Sequence, residues 1–328
     1  MEDYCWIMNA LINVRVAAKR PIADDTAGFV FEAVDGEALP PFEAGAHIDV
    51  HVPGGPVRQY SLHELPSANG QYHIGVLRDP QSRGGSERLL DTVCEGDRLE
   101  ISAPRNHFPL HDDRNARSIL FAGGIGITPI LCMAKQLDGE GRDFAMHYCG
   151  RTRPRMAFVD ELGAMAFASQ VHVHVDDGPQ DQQLDARSAI GSPAADKHLY
   201  VCGPTGFMDH VLNTARALGW AEANLHREYF AAAPVDHSSD GPFELQLATS
   251  GKVIQVSADQ SAAQALLEAG VGISLSCEQG VCGTCLTKVL QGTPDHRGLY
   301  LTDDEHARND AFMPCCSRAQ TRRLVLDL

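Results

Sequence analysis

The chain has 328 residues, of which 44% are hydrophobic and 21% charged, a composition typical of globular proteins with two or three domains. It carries 27 basic and 43 acidic side chains, and its formal net charge of −16 excludes the basic surface that nucleic-acid binding requires. Every apolar run is shorter than the roughly 20 residues of a membrane span, and residues 1–3 are acidic where a secretory signal is basic. We therefore expect a cytoplasmic protein that binds neither nucleic acid nor membranes.

Residues 1–111 contain short runs in which apolar and polar residues alternate, such as 47–52 and 72–76, separated by turns rich in Gly, Pro and Asp. Alternation with a period of two is typical of half-buried strands. Many short strands joined by such turns are typical of antiparallel barrels and sandwiches. We predict an antiparallel β-barrel for this first domain.

Residues 112–230 alternate strand-like apolar runs with helix-like stretches. The strand-like runs are residues 118–122, 144–149, 171–175 and 198–202. The helix-like stretches are residues 129–137, 158–165 and 207–218. Because this alternation is typical of βαβ units, we predict an α/β domain with a parallel sheet.

A stretch rich in Ala, Pro, Asp and Ser at residues 231–241 is typical of a linker, and a third domain, residues 242–328, follows it. The strand-like runs of this domain are residues 243–247, 252–256, 286–289 and 324–328. A short helix is predicted at residues 261–269, before a cysteine-rich loop.

The cysteines of the third domain follow the plant-type ferredoxin spacing C-x4-C-x2-C with a distant fourth, which predicts a [2Fe–2S] cluster. The four predicted ligands are Cys277, Cys282, Cys285 and Cys315. Gly280 and Gly283 allow the loop to curl tightly and to present backbone N–H groups to the sulfurs. A structural zinc site fits this spacing less well, because its ligands come in closely spaced pairs. Cys316 stays open as an alternative fourth ligand, because it adjoins Cys315.

Three segments of the first domain suggest a flavin site: Arg58-Gln59-Tyr60-Ser61, Gly75-Val76 and Gly84-Gly85-Ser86. The last segment opens a helix-like stretch at residues 86–92. A helix start with two glycines and a hydroxyl is suited to binding a phosphate group. The alternative is structural: an R-x-Y-S tetrapeptide is also found where a surface arginine adjoins a half-buried tyrosine.

Two turns of the second domain suggest a dinucleotide site. Residues 119–122 run into the sequence GGIGITP, and a buried strand followed by a glycine-rich turn and a helix is typical of dinucleotide binding. Proline stands where the third glycine of the usual motif would be. The second turn is Cys202-Gly203-Pro204, again after a strand-like run. Both turns can also be purely structural, with Cys202 as a small buried residue.

Residues 277–318, which begin with CEQGVCGTC and end with MPCCSRA, and the tail LVLDL resemble the ferredoxin domain of the phthalate dioxygenase reductase and vanillate demethylase reductase family. The flavin and dinucleotide segments extend this resemblance over nearly the whole chain. It implies three domains in the order FMN-binding β-barrel (1–111), NAD-binding α/β domain (112–230) and β-grasp [2Fe–2S] domain (242–328).

The resemblance also implies roles for individual residues. Tyr60 would pack on the flavin ring and Ser61 would lie near its reactive N5 edge. The flavin phosphate would meet Arg58, Gly84, Gly85 and Ser86, with Gly75 and Val76 completing the flavin site. The NAD pyrophosphate would lie against Gly124 and Gly126, and the nicotinamide beside Cys202, Gly203 and Pro204. The candidate catalytic residues are Ser61, Thr128 and Cys202. Phe230 would pack against the flavin, although a core aromatic at a domain end is nearly as good an interpretation.

The predicted activity is transfer of a hydride from NADH to FMN, and then of single electrons through the [2Fe–2S] cluster to a separate oxygenase acting on an aromatic acid. A flavin is needed because NADH gives two electrons and the cluster accepts one. FAD in place of FMN stays open. So does NADPH, because the loop after the second strand carries Arg151, Arg153 and Arg155, and arginine binds phosphate well.

Two further functions remain as alternatives: a flavin and iron–sulfur reductase with a non-oxygenase acceptor, and a zinc-stapled, non-catalytic nucleotide-binding module. The histidine pairs 47/51 and 172/174 are interpreted as surface or hydrogen-bonded residues and not as metal ligands. Residues 303–305 are interpreted as a solvated turn, with a charged docking rim as the alternative.

Overall fold

The computed structural model of the chain describes residues 11–34, 36, 38–66, 70–79, 84–230 and 240–328, apart from the side chain of Asp303. Arg83, which precedes the predicted phosphate-binding turn, and most of the predicted linker lie outside the described residues. The chain divides into two units, Met1–Glu228 and Tyr229–Leu328. No helix of the described part is long and apolar enough to cross a membrane.

The first sheet contains seven antiparallel strands, and one helix flanks it. The strands are β1 (Ile12–Ala23), β2 (Thr26–Ala33), β3 (Ala46–His51), β4 (Val57–Ser61), β5 (Tyr72–Leu77), β6 (Arg98–Ile101) and β7 (Arg105–Asn106), and the helix is α1 (Gly85–Thr92). Their order is β4-β3-β6-β1-β2-β5, with β7 paired to β3. A bridge between Leu62 and Ile74 joins the two ends of this order, so the sheet closes into the predicted barrel.

The second sheet is parallel throughout, with the strand order β10-β9-β8-β11-β12. Its elements are β8 (Arg117–Gly123), α2 (Ile127–Gly139), β9 (Phe144–Gly150), α3 (Val159–Leu162), β10 (Val171–Val175), α4 (Ala186–Ile190), β11 (Lys197–Cys202), α5 (Thr205–Ala217) and β12 (Leu225–Glu228). The carboxyl ends of the strands therefore meet at one edge, where open α/β sheets bind their ligands.

The helix predicted at residues 158–165 is much shorter in the structure. Phe158 has a left-handed backbone with φ of 63°, so the helix begins only at Val159. It ends after one turn, at Leu162.

The barrel and the parallel sheet are packed together within the first unit. The backbone N–H of Asp24 donates to the carbonyl of Pro154 (2.9 Å), and Arg155 pairs with Asp25 (2.8 Å). Between β5 and the start of α2, a Cβ atom at Gly75 would lie only 2.9 Å from the methyl group of Thr128. Strand β5 and the predicted dinucleotide turn are therefore in direct contact.

The second unit is a mixed sheet with the order β14-β13-β19-β15-β17 and a separate β16–β18 pair. Its elements are β13 (Phe243–Leu247), β14 (Val253–Val256), α6 (Ala262–Glu268), β15 (Thr287–Gln291), β16 (Pro294–Asp295), α7 (Asp303–Arg308), β17 (Ala311–Phe312), β18 (Arg318–Ala319) and β19 (Arg323–Leu326). The first and last long strands, β13 and β19, are parallel, and α6 packs on the sheet. This is the predicted α+β arrangement, and it leaves the cysteine loop between α6 and β15.

The interpretation of residues 303–305 as a turn is wrong, because they form the first turn of α7. The hydroxyl of Thr302 accepts from the backbone of Glu305, whose side chain accepts from the backbone of Thr302. This capping box satisfies two N–H groups at the helix start.

Candidate functional site

The four predicted cluster cysteines form two pairs in the second unit. The thiols of Cys277 and Cys282 neighbour each other, and so do those of Cys285 and Cys315. The Cys277 thiol lowers the pKa of Cys282 to about 6, and the Cys315 thiol lowers the pKa of Cys285. Thiolates are the ligands of iron–sulfur clusters, and a binuclear cluster takes two protein ligands on each iron. The paired arrangement fits a [2Fe–2S] cluster.

The cysteine loop requires glycine at the two predicted positions. Gly280 and Gly283 have φ of 73° and 72°, in the left-handed region. A Cβ atom at Gly280 would lie 2.4 Å from Cys316 Sγ, and one at Gly283 would lie 2.3 Å from the ring of Tyr300. The loop is therefore packed too closely for any larger residue.

Cys316 lies at the edge of the paired thiols. Its Sγ is 3.8 Å from the carbonyl of Met313 and 3.7 Å from Ser317 Oγ, and its thiol also contacts Cys315. Cys285 interacts more strongly with the thiol of Cys315 than with that of Cys316, which favours Cys315 as the fourth ligand. In the part of the chain that the structure describes, no three His, Cys, Asp or Glu side chains are grouped to hold a single metal ion.

The predicted flavin-phosphate residues lie together where β4 passes the start of α1. A Cβ atom at Gly85 would lie 2.6 Å from Cγ of Arg58, so the arginine side chain crosses the first turn of the helix. Gly84, with φ of 88°, has open space on its Cβ side. The hydroxyl of Ser86 is buried and has no hydrogen-bond partner among the described residues. Buried polar atoms are rarely left without partners, so this cradle fits a bound phosphate.

The predicted ring-binding residues lie on β4 and β5. The hydroxyl of Tyr60 is buried without a partner in the described part, and burial raises the pKa of Tyr60. The side chain of Val76 lies in the barrel core, so contact with a flavin would be through its backbone. Gly75 faces Thr128, as described above. A buried phenol hydroxyl without a partner among the described residues fits contact with a polar, planar ring.

The first dinucleotide turn is a short 3-10 turn, Gly124–Gly126, that leads into α2. Gly124 has φ of 54° and open space on its Cβ side, which leaves room for a pyrophosphate at the helix start. Thr128 is buried, and its hydroxyl donates to the carbonyl of Ile125 (3.1 Å). Thr128 therefore stabilises the turn through its hydroxyl and contacts Gly75 of β5 with its methyl group.

The second turn packs directly on the first. A Cβ atom at Gly126 would lie 2.3 Å from the carbonyl oxygen of Cys202, and one at Gly203 would lie 2.9 Å from the Cα of Gly123. Pro204 is exposed and precedes α5. The two turns thus form one glycine-lined edge, with Cys202 fully buried beneath it.

A half-buried acid, Glu228, that the sequence had not indicated as a site residue completes this edge. Ser61 Oγ donates to Glu228 Oε2 across 3.2 Å, linking the end of β4 to the end of β12. Burial raises the pKa of Glu228 to about 8, and burial, with Glu228 as a weaker cause, raises the pKa of Cys202. Two of the three candidate catalytic residues, Ser61 and Cys202, therefore adjoin one proton-binding carboxyl group.

Phe230 belongs to the second unit, and its side chain is 41% exposed. Its predicted contact with the flavin stays a prediction.

Two of the three arginines in the loop at residues 151–155, which left NADPH open as the coenzyme, are paired with acidic side chains. Arg153 pairs with Asp160 (2.9 Å) and Arg155 with Asp25 (2.8 Å). The backbone N–H of Asp177 donates to the carbonyl of Arg151 (3.2 Å), because β10 ends beside β9. This backbone contact places the acidic end of β10 beside the loop.

Three of the four histidines interpreted as non-ligands, His47, His172 and His174, have other partners. His47 is buried and lies 3.2 Å from the side-chain nitrogen of Gln59. His174 Nε2 lies 3.1 Å from His147 Nδ1, and the ring of His172 stacks on His147. Burial, and to a lesser extent the charges of His172 and His174, lowers the pKa of His147 to about 3. The imidazole of His147 is therefore neutral at physiological pH.

Comparison with known proteins identifies the same regions. Residues 245–320 match the 2Fe-2S iron-sulfur cluster binding domain, and residues 120–213 match the oxidoreductase NAD-binding domain. The chain is 54% identical over 318 residues to the vanillate O-demethylase oxidoreductase of Pseudomonas sp. (strain HR199 / DSM 7063), covering 97% of this chain and 100% of the relative. The chain belongs to the vanillate demethylase and phthalate dioxygenase reductase family.

Other members and structures support this assignment. The chain is 40% identical to the phthalate dioxygenase reductase of Burkholderia cepacia, with 98% of each chain covered. A solved phthalate dioxygenase reductase, described as a modular structure for electron transfer from pyridine nucleotides to [2Fe-2S], matches with a TM-score of 0.75 at 40% identity over 98% of each chain. An intact type IV self-sufficient cytochrome P450 monooxygenase matches with a TM-score of 0.85 at 36% identity, over 97% of this chain and 41% of that chain. The predicted family and multidomain fold are confirmed, and the chain is an oxidoreductase.

Proposed function

We propose that this chain is the NADH-dependent reductase component of a multicomponent oxygenase. It transfers a hydride from NADH to FMN, and then single electrons through a [2Fe–2S] cluster to an oxygenase on a separate chain. The observation that carries this proposal is the full-length similarity to the vanillate O-demethylase oxidoreductase, combined with two pairs of neighbouring thiols whose sequence spacing is that of a plant-type ferredoxin.

The residues of the chain divide the work between binding and proton handling. FMN, when bound, supplies the conversion between two-electron and one-electron chemistry. Arg58 and the start of α1 would bind its phosphate, and the turn at Gly124 would bind the coenzyme pyrophosphate. Cys202 excludes water at the sheet edge, because its side chain is buried there. Glu228 would accept a proton through the hydroxyl of Ser61.

The oxygenase served by this reductase acts on an aromatic acid in the cytoplasm. This part of the proposal is supported by the names of the similar reductases, since vanillate and phthalate are both aromatic carboxylates. The reductase itself does not contact that substrate, so its fold does not identify the acid.

Anaerobic titration of the purified protein with NADH, followed by visible absorption, tests the proposal. We expect bleaching of both flavin and cluster bands, and then reoxidation when the partner oxygenase is added. A colourless protein, or bands that ignore NADH and NADPH, would contradict the proposal and favour the zinc-stapled nucleotide-binding module.

A haem-dependent oxygenase is a second candidate acceptor. Two similarities favour it: the cytochrome P450 monooxygenase above, and a heme-dependent oxidative N-demethylase beta subunit of Ectopseudomonas mendocina that is 38% identical over 98% of this chain. The two acceptors are distinguished by their rates of reduction with NADH and this reductase. One measurement uses a purified Rieske oxygenase, and the other uses a purified haem-dependent oxygenase.

Coenzyme selection is expected to depend on Asp176 and Asp177 at the exposed end of β10. Because the pyrophosphate turn follows β8 and the nicotinamide turn follows β11, the adenosine end of the coenzyme would lie toward β9 and β10. Two carboxylates there would repel a 2′-phosphate. The double variant D176N/D177N is therefore expected to raise kcat/KM for NADPH about tenfold, equivalent to about 1.4 kcal/mol, with little change for NADH.

Initial rates with both coenzymes and a dye acceptor measure this effect. The matched control is D143N/D196N, which removes two acids from the opposite ends of β9 and β11. An equal gain in the control, or no gain in the test variant, would place the coenzyme-selecting residues elsewhere.

FMN affinity is expected to depend on Arg58. A hydrogen bond between a guanidinium and a phosphate contributes roughly 1.5–3 kcal/mol, so Arg58→Gln should weaken FMN binding about 10–100-fold. Fluorescence titration of the flavin-depleted protein with FMN measures the dissociation constant. Arg98→Gln, an exposed arginine of β6, is the control with the same charge change. Similar affinities for both variants would show that Arg58 does not contact the phosphate.

A further inference from the structure

The segment from Arg297 to Tyr300 lies directly on the cysteine loop of the second unit. The backbone N–H groups of Leu299 and Tyr300 both donate to the carbonyl of Gly280, at 2.9 and 3.1 Å. A Cβ atom at Gly298 would lie 2.9 Å from the same oxygen. Because Gly280 lies between two predicted cluster ligands, movement of this segment would move the cysteine loop.

Arg297 fixes this segment through a buried ion pair. Its guanidinium donates to both carboxylate oxygens of Asp240, at 3.0 and 2.6 Å, and to Asp295 at 2.8 Å. The Asp240 side chain is 1% exposed and also lies 3.5 Å from the guanidinium of Arg318. Two arginines and two aspartates thus form a balanced group beside the cysteine loop.

The position of Asp240 in the chain adds to the importance of this group. It lies at the end of the predicted linker, residues 231–241, so the bidentate pair joins the linker end to the segment that covers the cysteine loop. The backbone N–H of Arg297 also donates to Ser317 Oγ (3.2 Å), two residues after the predicted ligand Cys315. The segment from Arg297 to Tyr300 is therefore hydrogen-bonded to both parts of the predicted cluster site.

We propose that the Asp240–Arg297 pair is a positioning and tuning element that fixes the linker end to the cysteine loop and sets the reduction potential of the cluster. This inference rests on the proposed function. Reduction adds one negative charge to the cluster, so nearby positive charge raises its potential and nearby negative charge lowers it. In the wild type the two signs are balanced.

Opposite substitutions in the pair should therefore have opposite effects. Arg297→Gln removes a positive charge and should lower the midpoint potential, while Asp240→Asn removes a negative charge and should raise it. The double variant R297Q/D240N restores the balance and should lie near the wild type. Arg297→Lys keeps the charge without the bidentate geometry, so it should also lie close to the wild-type potential.

The experiment is an anaerobic redox titration of the full-length holoprotein, followed by visible absorption and electron paramagnetic resonance. At a fixed solution potential, we expect the ratio of reduced to oxidised cluster to change about threefold in opposite directions for the two single variants. Arg322→Gln is the control for net charge, because its side chain is 88% exposed and pairs with Glu244. If Asp240→Asn fails to assemble a cluster, Asp295→Asn tests the same sign at a more exposed acid.

The outcomes separate this inference from the proposed function. Shifts in the same direction for the arginine and aspartate variants, or a shift in R297Q no larger than in R322Q, would overturn the tuning role. A wild-type protein that lacks the cluster, or whose cluster is not reduced by NADH, would instead overturn the proposed function.

Discussion

Cys315→Ser is expected to lose the [2Fe–2S] cluster and at least about 100-fold of the rate of electron delivery to a one-electron protein acceptor. Cys315 is the predicted ligand that pairs with Cys285, and even indirect supports of a metal ligand contribute 10–100-fold to metal affinity. NADH oxidation with a dye that takes electrons from the flavin should persist, because the predicted flavin and dinucleotide residues, apart from Phe230, lie in the other unit. Iron content, the cluster absorption and the two rates measure the effect.

Cys316→Ser is the matched control, since it removes the neighbouring thiol from the same loop. We expect it to keep two irons per chain and near-normal electron delivery. The reverse result, in which Cys316→Ser loses the cluster and Cys315→Ser keeps it, would assign the fourth ligand to Cys316.

Glu228→Gln is expected to slow turnover about 100-fold, within the range that a positioned proton-transfer group contributes. Glu228 is half-buried and accepts the hydrogen bond of Ser61, so it is placed to take up a proton at the end of β4. Glutamine keeps the shape and can still accept from the hydroxyl, but it cannot bind a proton. Stopped-flow absorption, with NADH reduction and acceptor reduction followed separately, should place the loss in steps that release a proton.

The pH dependence gives a second test of the same carboxyl group. Burial raises the pKa of Glu228 to about 8, so the proton-accepting carboxylate dominates above that pH and is depleted below it. Turnover of the wild type should therefore rise with pH through about 8, and Glu228→Gln should lack this rise. Glu222→Gln is the control, because Glu222 precedes β12 but is exposed and pairs with Arg216. If the rise survives in Glu228→Gln, another group must accept the proton.

The sequence predicts the architecture well because its signals are local. The alternation of apolar and polar residues predicted the barrel, and the alternation of strands and helices predicted the parallel sheet. The spacing of Cys277, Cys282 and Cys285 predicted the cluster loop. The glycine turns were also visible, since positions such as Gly126 and Gly203 cannot carry a side chain in this packing.

The contacts that the sequence did not predict join residues that are far apart in the chain. Ser61 and Glu228 are separated by 167 positions, and nothing in either local pattern indicates their hydrogen bond. The same holds for Asp177 beside Arg151, because only strand pairing brings a later acid next to an earlier basic loop. The helix start at residue 303 was missed for a different reason, since a short acidic run is compatible with both a turn and a capped helix.

The contact between Gly75 and Thr128 has a consequence for protein engineering. A flavin barrel taken from another reductase would have to match this dinucleotide turn to within a methyl group, and would also need partners for Pro154 and Arg155. Exchange at the boundary near residue 111 would therefore create chimaeras with mismatched halves. Residues 11–228 are better transplanted as one cassette, and residues 240–328 as a second, with the join placed between them.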